Sequence, residues 1–269
     1  MLEIPNLNGK ELFKFLIDNE KTLVAQKKFD LKRADGIYFN GSIENQKGIA
    51  TKANGSIATD KTELSVTSII NTTNWYDSHG DVHIDGLWKK SLSENKEIYL
   101  LQEHKMEFEK IIAYPEDVKA YTKNISWRSL GVDFDGYTEA LVFDSTVKLG
   151  QNGYMFDRYK TGKVRNHSVG MRYVSIDMAI NDDDYPAYKA LWDKHIDKIA
   201  NRAEVEERGY YWAVMQAKVV EGSAVPMGSN RITPTQSVKD IAPSEDTQTR
   251  AADSTRAKAL NNLLKVLKA

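Results

Sequence analysis

Val164-Arg165-Asn166-His167-Ser168-Val169-Gly170-Met171 is the stretch that decides how this chain is read, because it opens a strand-like run continuing to Ile176. In a strand, successive side chains point to opposite faces of the sheet. His167 and Ser168 are then separated by the sheet, and Ser168 has to borrow any general base from elsewhere in the chain. Gly170 falls on the same face as Ser168, where a missing side chain lets a substrate backbone come close. The competing reading is a polar strand residue without a role, and the octapeptide alone does not choose between them.

Similar short runs lie on both sides. Leu64, Val66, Ser68 and Ile70 alternate with polar residues at the period of a half-buried strand. Residues 111–114, 126–134, 139–147 and 210–220 read as further strands, with turns at 77–80, 133–136 and 150–153 marked by Gly, Asp and Asn. Two stretches have helical spacing instead: 150–163, with Tyr154, Met155 and Tyr159, and 185–203, with Tyr188, Leu191, Trp192, Ile196 and Ile199. Many short strands with few helices predict a mixed, mainly β fold, a barrel or sandwich with helices packed outside.

The two ends have a different texture. Asn8 and Glu11 have the form of a capping box ahead of Leu12, Phe13, Leu16, Leu23 and Val24. Residues 1–36 are therefore read as a helical extension that either docks a partner or packs on its own domain. Residues 231–254 are rich in Thr, Ser, Asp and Gln and lack apolar periodicity, the composition of a linker. Leu260, Leu263, Leu264 and Leu267 then mark a helix too short to be stable alone. The expected division is a helical extension over 1–36, a domain over 37–230, and a flexible linker with a short helix over 231–269.

Composition narrows the function classes. A formal net charge of −1 supplies no overall field to attract nucleic acid or an anionic membrane, so neither is expected as a partner. With no cysteine there is no thiolate nucleophile, disulfide framework or Cys-ligated zinc site. The first residues lack a basic region followed by an apolar run, and no apolar stretch approaches the roughly 20 residues that span a bilayer. A soluble, cytosolic protein is expected.

Five histidines, His79, His83, His104, His167 and His195, supply the natural general bases near neutral pH. In Asp77-Ser78-His79-Gly80-Asp81-Val82-His83, alternate carboxylates and imidazoles would share one face of a strand and could ligate a metal. Gly80 and the flanking Asp residues instead mark a turn, where that alternation fails, and neither metal nor cofactor is expected. His104 follows the apolar run Ile98-Tyr99-Leu100-Leu101, where a buried strand emerges to the surface. Glu221 ends another apolar run, and a carboxylate there could orient an imidazole. Each has a bland alternative, a surface histidine and a solvated strand-end glutamate.

Taken in order, these residues resemble the prohead (capsid maturation) serine protease family of tailed bacteriophages, which is similar in fold to herpesvirus assemblin. The resemblance covers roughly residues 62–230. Asp77-Ser78-His79-Gly80-Asp81-Val82 followed by Asp85-Gly86-Leu87-Trp88 is similar to a family segment of Asp, Gly-Asp-Val and Gly-x-aromatic residues. Leu100-Leu101-Gln102-Glu103-His104 resembles the strand ending in the catalytic histidine, and His167-Ser168-Val169-Gly170-Met171 the signature of the catalytic serine. Glu221-Gly222-Ser223-Ala224-Val225-Pro226 with Asn230 resembles the closing element that carries the third member of the triad. Gln102, Ala113 and Met227-Gly228-Ser229 depart from the family pattern, and none of them removes a triad member.

The resemblance implies an assemblin-like, closed or partly open β-barrel and a serine endopeptidase with Ser168 as nucleophile, His104 as base and Glu221 as its orienting acid. It implies backbone amides near Asn230 and Arg231 as oxyanion donors. It further implies the major capsid protein and scaffold of a procapsid as partners and substrates, self-association, and self-cleavage for which 231–254 is the expected place. The setting is the host cytoplasm, inside the assembling procapsid. The alternative is an inactive structural or scaffold component of the procapsid with the same fold.

Overall fold

The computed structural model describes residues 2–29 and 62–241. Among the described residues nine strands form two sheets. In the first, β5 (Val118–Ser126), β6 (Tyr137–Lys148), β1 (Glu63–Asn71) and β9 (Thr235–Asp240) lie side by side, every pair antiparallel. The second is built on β8 (Tyr210–Val225). Along one side of β8 runs β7 (Asn166–Ile180), antiparallel. Along the other side lie two short parallel strands, β2 (Asp81–His83) beside Trp212–Val214 and β3 (Tyr99–Gln102) beside Glu221–Ala224. The strand β4 (Ile111–Ala113) pairs antiparallel with β3.

The sheets face each other across one core. Leu64 and Val66 of β1 and Phe143 and Val147 of β6 meet Leu100, Ile112, Val169 and Val219 of the second sheet, all buried. Each such side chain contributes about 1.5–3 kcal/mol on leaving water. The approach is closest at Gly222 of β8, where an added Cβ would stand 2.4 Å from the Phe143 ring. Gly222 and Val169 thus point inward, and the residues on either side of them point to the outer face. The sheets also touch at one corner, where Asn166 bridges Pro234 and the Ile69 N–H donates to the Pro234 carbonyl at 3.0 Å.

No closed barrel is found among the described residues, which form a mixed fold of about 38% strand and 31% helix. Of the expected fold class, the coarse statement stands: the body is mixed, with strands and helices in comparable shares.

Two helices at the N-terminus, α1 (Gly9–Asp18) and α2 (Glu20–Phe29), pack on the body through Leu12, Phe13, Leu16 and Leu23, so this region covers its own domain. The Asn8 side chain makes no capping bond, and the expected capping box does not form. One continuous helix was expected, but the chain breaks at Asn19, whose side-chain amide donates to the Phe15 carbonyl at 2.8 Å.

The remaining helices are α3 (Lys89–Glu94), α4 (Gly153–Lys160), α5 (Pro186–His195) and α6 (Arg202–Arg208). The last two cover a satellite core of Val82, Ile84, Trp192, Ile199, Val205 and Tyr211. The helical stretch read over 185–203 is thus two helices, α6 beginning only at Arg202. At the end of α6, Gly209 has φ +75° and an added Cβ would stand 2.9 Å from Phe13. Only glycine suits both the left-handed turn and that close approach.

Three further expectations are corrected. Residues 126–134 are not a strand: Trp127–Leu130 form a 3-10 turn that buries Trp127 and Leu130 in a small third core, and the neighbouring strand is β5, which ends at Ser126. The linker does not begin at 231, because β9 pairs with β1 from Leu64 to Ser68. An edge strand held by main-chain hydrogen bonds needs no apolar face, so its polar sequence hid it. The closed form of the barrel is the third. The terminal helix expected near 257–267, the segment named for self-cleavage beyond 241, and residues 30–36 of the extension lie outside the described residues. Among the described residues no helix is long and apolar enough to cross a membrane.

Candidate active site

Residues on the outer face of β7 and β8 are set by register. Ser168 lies opposite Ser223, and Gly170 opposite Glu221. Side chains directly opposite in an antiparallel pair share a face, so Ser168, Glu221 and Ser223 converge on one side of the sheet. His167 turns to the other side. Its Nδ1 meets the Thr233 carbonyl oxygen at 3.2 Å and its Nε2 the Tyr159 hydroxyl at 3.0 Å. Burial pushes its pKa down to about 4. His167 is thus a neutral structural imidazole and cannot serve its neighbour Ser168 as base.

His104 reaches the same face from β3. Immediately after that strand, Glu103 and His104 adopt φ +55° and +58°. Left-handed non-glycine residues cost of order 1–3 kcal/mol each, and neighbouring contacts must hold them. Here the Glu103 N–H donates to the Ala224 carbonyl at 3.0 Å, and the His104 N–H donates to Ser223 Oγ at 3.1 Å. The turn sends the imidazole back over β8.

There His104 Nδ1 meets Glu221 Oε1 at 2.6 Å, with both side chains buried. Ser223 donates its hydroxyl proton to the other carboxylate oxygen, Oε2, also at 2.6 Å. A carboxylate accepting from Nδ1 selects the tautomer with its proton on Nδ1 and its lone pair on Nε2.

Two glycines make room for this group. A Cβ on Gly170 would stand 1.9 Å from Glu221 Oε1 and 2.7 Å from Cδ, so the carboxylate occupies the space a side chain would fill. This corrects the sequence expectation that Gly170 admits a substrate backbone. A Cβ on Gly228 would stand 2.8 Å from the His167 carbonyl and 3.6 Å from Ser168 Cβ, so the turn at 227–230 lies directly against Ser168. Asn230 pins that turn: its Nδ2 donates to the Thr72 carbonyl at 2.9 Å, and its Oδ1 accepts from the Ile232 N–H at 3.0 Å.

The sequence candidates therefore fall into two groups. His104 and Glu221 meet directly, and Ser168 stands two residues from Gly170 on the same face. His79 and His83 do not join them. Residues 77–80 form the expected turn, in which Asp77 Oδ1 accepts from the backbone N–H groups of His79 and Asp81 at 2.8 and 3.0 Å. His83, on β2, faces the Asn71 amide oxygen at 3.1 Å and the Tyr173 hydroxyl at 3.4 Å, and burial lowers its pKa. Among the described residues no group of three or more His, Asp or Glu side chains is arranged to hold a metal ion.

In the sequence Ser223 stands out only as part of the Glu221–Pro226 motif. Its spacing of two from Glu221 on a strand was the available signal, since residues i and i+2 share a face. In comparisons with family models, curated proteins and solved structures, none matched the chain.

Proposed function

We propose that the chain is a serine endopeptidase in which Ser168 is the nucleophile, His104 the general base and Glu221 the orienting acid. One observation carries this reading: a buried His104–Glu221 pair seated over Gly170, with Ser168 two residues along on the same face. Residues i and i+2 of a strand are roughly 6.5–7 Å apart, a gap of the order that one imidazole and two hydrogen bonds span.

In the proposed reaction Ser168 Oγ attacks a peptide carbonyl while His104 Nε2 takes the hydroxyl proton. Glu221 stabilises the imidazolium that forms. As the C–N bond breaks, the proton passes from Nε2 to the leaving amine. Water then attacks the acyl-enzyme and gives a proton to His104, which returns it to Ser168 Oγ as the ester C–O bond breaks and the new carboxylic acid leaves. Donors to the oxyanion are worth about 3–4 kcal/mol in such reactions. Backbone amides near Asn230 and Arg231 are the proposed donors, in the segment that Gly228 brings against Ser168.

The sequence resemblance to prohead proteases supports the finer reading, that the substrates are capsid and scaffold proteins of a phage procapsid and the chain itself. The assemblin-like form of the fold belongs to the same proposal. Intact-mass measurement over time, wild type beside Ser168→Ala with capsid protein present, tests both. Fragments that appear only with wild type are expected, at the cleavage sites the masses define. Equal fragmentation by the two, or none from a folded wild type under assembly conditions, overturns the protease reading in favour of a structural component.

A further inference from the structure

Ser223 takes no part in those acyl-transfer steps, yet it is fully buried beneath them. Its hydroxyl lies between the main chain that presents His104 and the carboxylate that holds it. Oγ accepts from the His104 backbone N–H at 3.1 Å and donates to Glu221 Oε2 at 2.6 Å. The Nδ1–Oε1 contact of 2.6 Å closes a ring from the His104 backbone through Ser223 and Glu221 to the His104 side chain. Every link in that ring is buried.

The ring has two consequences. A carboxylate can rotate about its terminal bond, and a donor on Oε2 holds Oε1 toward the imidazole. The left-handed turn at Glu103 and His104 needs an acceptor for the His104 N–H, and Ser223 supplies it. A single hydroxyl thereby sets both partners of the pair. Register lets it do so: Ser223 faces Leu101 of β3 on one side and Ser168 of β7 on the other.

We propose that Ser223 is a positioning residue of this site, fixing the orientation of the Glu221 carboxylate and the backbone turn that delivers His104. Its consequence for turnover rests on the protease reading, whereas its effect on the imidazole does not. Two readouts separate them. The first is kcat and KM for cleavage of the capsid protein by wild type and Ser223→Ala. The second is the proton resonance of His104 Nδ1–H, taken in a Ser168→Ala background where no turnover occurs.

A strongly downfield Nδ1–H signal is expected with Ser223 present and lost with Ser223→Ala. The same change lowers kcat by up to about 100-fold with little effect on KM, the size of effect that a misplacement near 1 Å produces. Should Ser223→Ala fail to fold by circular dichroism, Ser223→Cys keeps the volume with a much weaker donor, and the same losses are expected. An unchanged Nδ1–H signal together with unchanged kcat in a folded variant overturns the proposal. If the wild type cleaves nothing, the protease reading fails, and the resonance by itself upholds or overturns the role of Ser223.

Discussion

Along β8 the register places β3 beside Glu221–Ala224 and β2 beside Trp212–Val214, and each neighbour brings a histidine near a carboxylate. His104 just beyond β3 meets Glu221, which also accepts from Ser223. On β2, His83 lies two residues from Asp81, which is fully buried. Asp81 is held by the ammonium group of Lys27, brought in by α2, and by the Tyr173 hydroxyl at 2.6 Å. Lys27 also lies over the Trp212 ring, 5.5 Å from its centroid.

The residue types are nearly the same at the two ends, and the neighbours decide the use. Lys27 neutralises Asp81, so that charge is spent in fastening α2 to the sheet. Glu221 is met instead by the Ser223 hydroxyl and the His104 imidazole. Burial finishes the contrast: it lowers the pKa of His83 and raises those of Asp77 and Tyr173, with the Asp81 charge adding to the last two. The Asp81 cluster thus fastens α2 to the sheet through Lys27, whereas the Glu221 cluster is the one proposed above to carry the chemistry.

Gly170→Ala attacks this contrast most severely. The new Cβ would displace the Glu221 carboxylate from His104, and the expected fall in kcat is roughly 10⁴-fold, the scale seen when the acid of such a triad is lost. Overpacking should also cost about 1–3 kcal/mol of stability in a urea melt. A variant that turned over like wild type would show that Glu221 is dispensable and that the two ends of β8 are alike.

Lys27→Met probes the other end. The change takes the ammonium group away from the buried Asp81 carboxylate, and about 3 kcal/mol of stability should be lost. The folded fraction should keep the kcat of the wild type. A fall in kcat as large as that of Gly170→Ala would break the separation between fastener and centre.

The remaining effect, at its limit comparable with that of Lys27→Met, is in acid, and it belongs to the structural histidines. His167 binds its proton with a pKa of about 4 when folded, against 6.5 unfolded. Between these values the unfolded chain holds more protons, so stability is complete above pH 6.5 and falls as the pH drops toward 4. That shift corresponds to roughly 3 kcal/mol at its limit. His83, also lowered, contributes with the same sign. Urea midpoints from pH 7.5 to 4.5 should follow this slope, and His167→Gln should flatten it. An equal slope in both proteins would remove His167 from the account.

Much of the body was legible in the sequence because apolar alternation marks a strand wherever one face is buried. Leu64, Val66 and the run at 139–147 were read for that reason. The strand β5 was missed because Lys119, Lys123 and Asn124 leave it half exposed on a sheet edge, and β9 was missed on similar grounds. In the site, His104 was legible as the end of an apolar run and Ser168 as a strand serine whose neighbour faces away. Lys27 left no signal, because a lysine on an amphipathic helix looks solvated until the surface it meets is known.

By itself the sequence determined a mixed fold of strands and helices and the separation of Ser168 from His167 across a strand. These depend on periodicity, which is local. Only the tertiary structure decided that Gly170 makes room for the Glu221 carboxylate, that β8 pairs with both β2 and β3, and that Asp81 is answered by Lys27 while Glu221 is answered by His104. Those facts depend on register and on contacts between residues far apart in the chain, 54 positions for Lys27 and Asp81 and 117 for His104 and Glu221, and no local pattern encodes a distance of that kind.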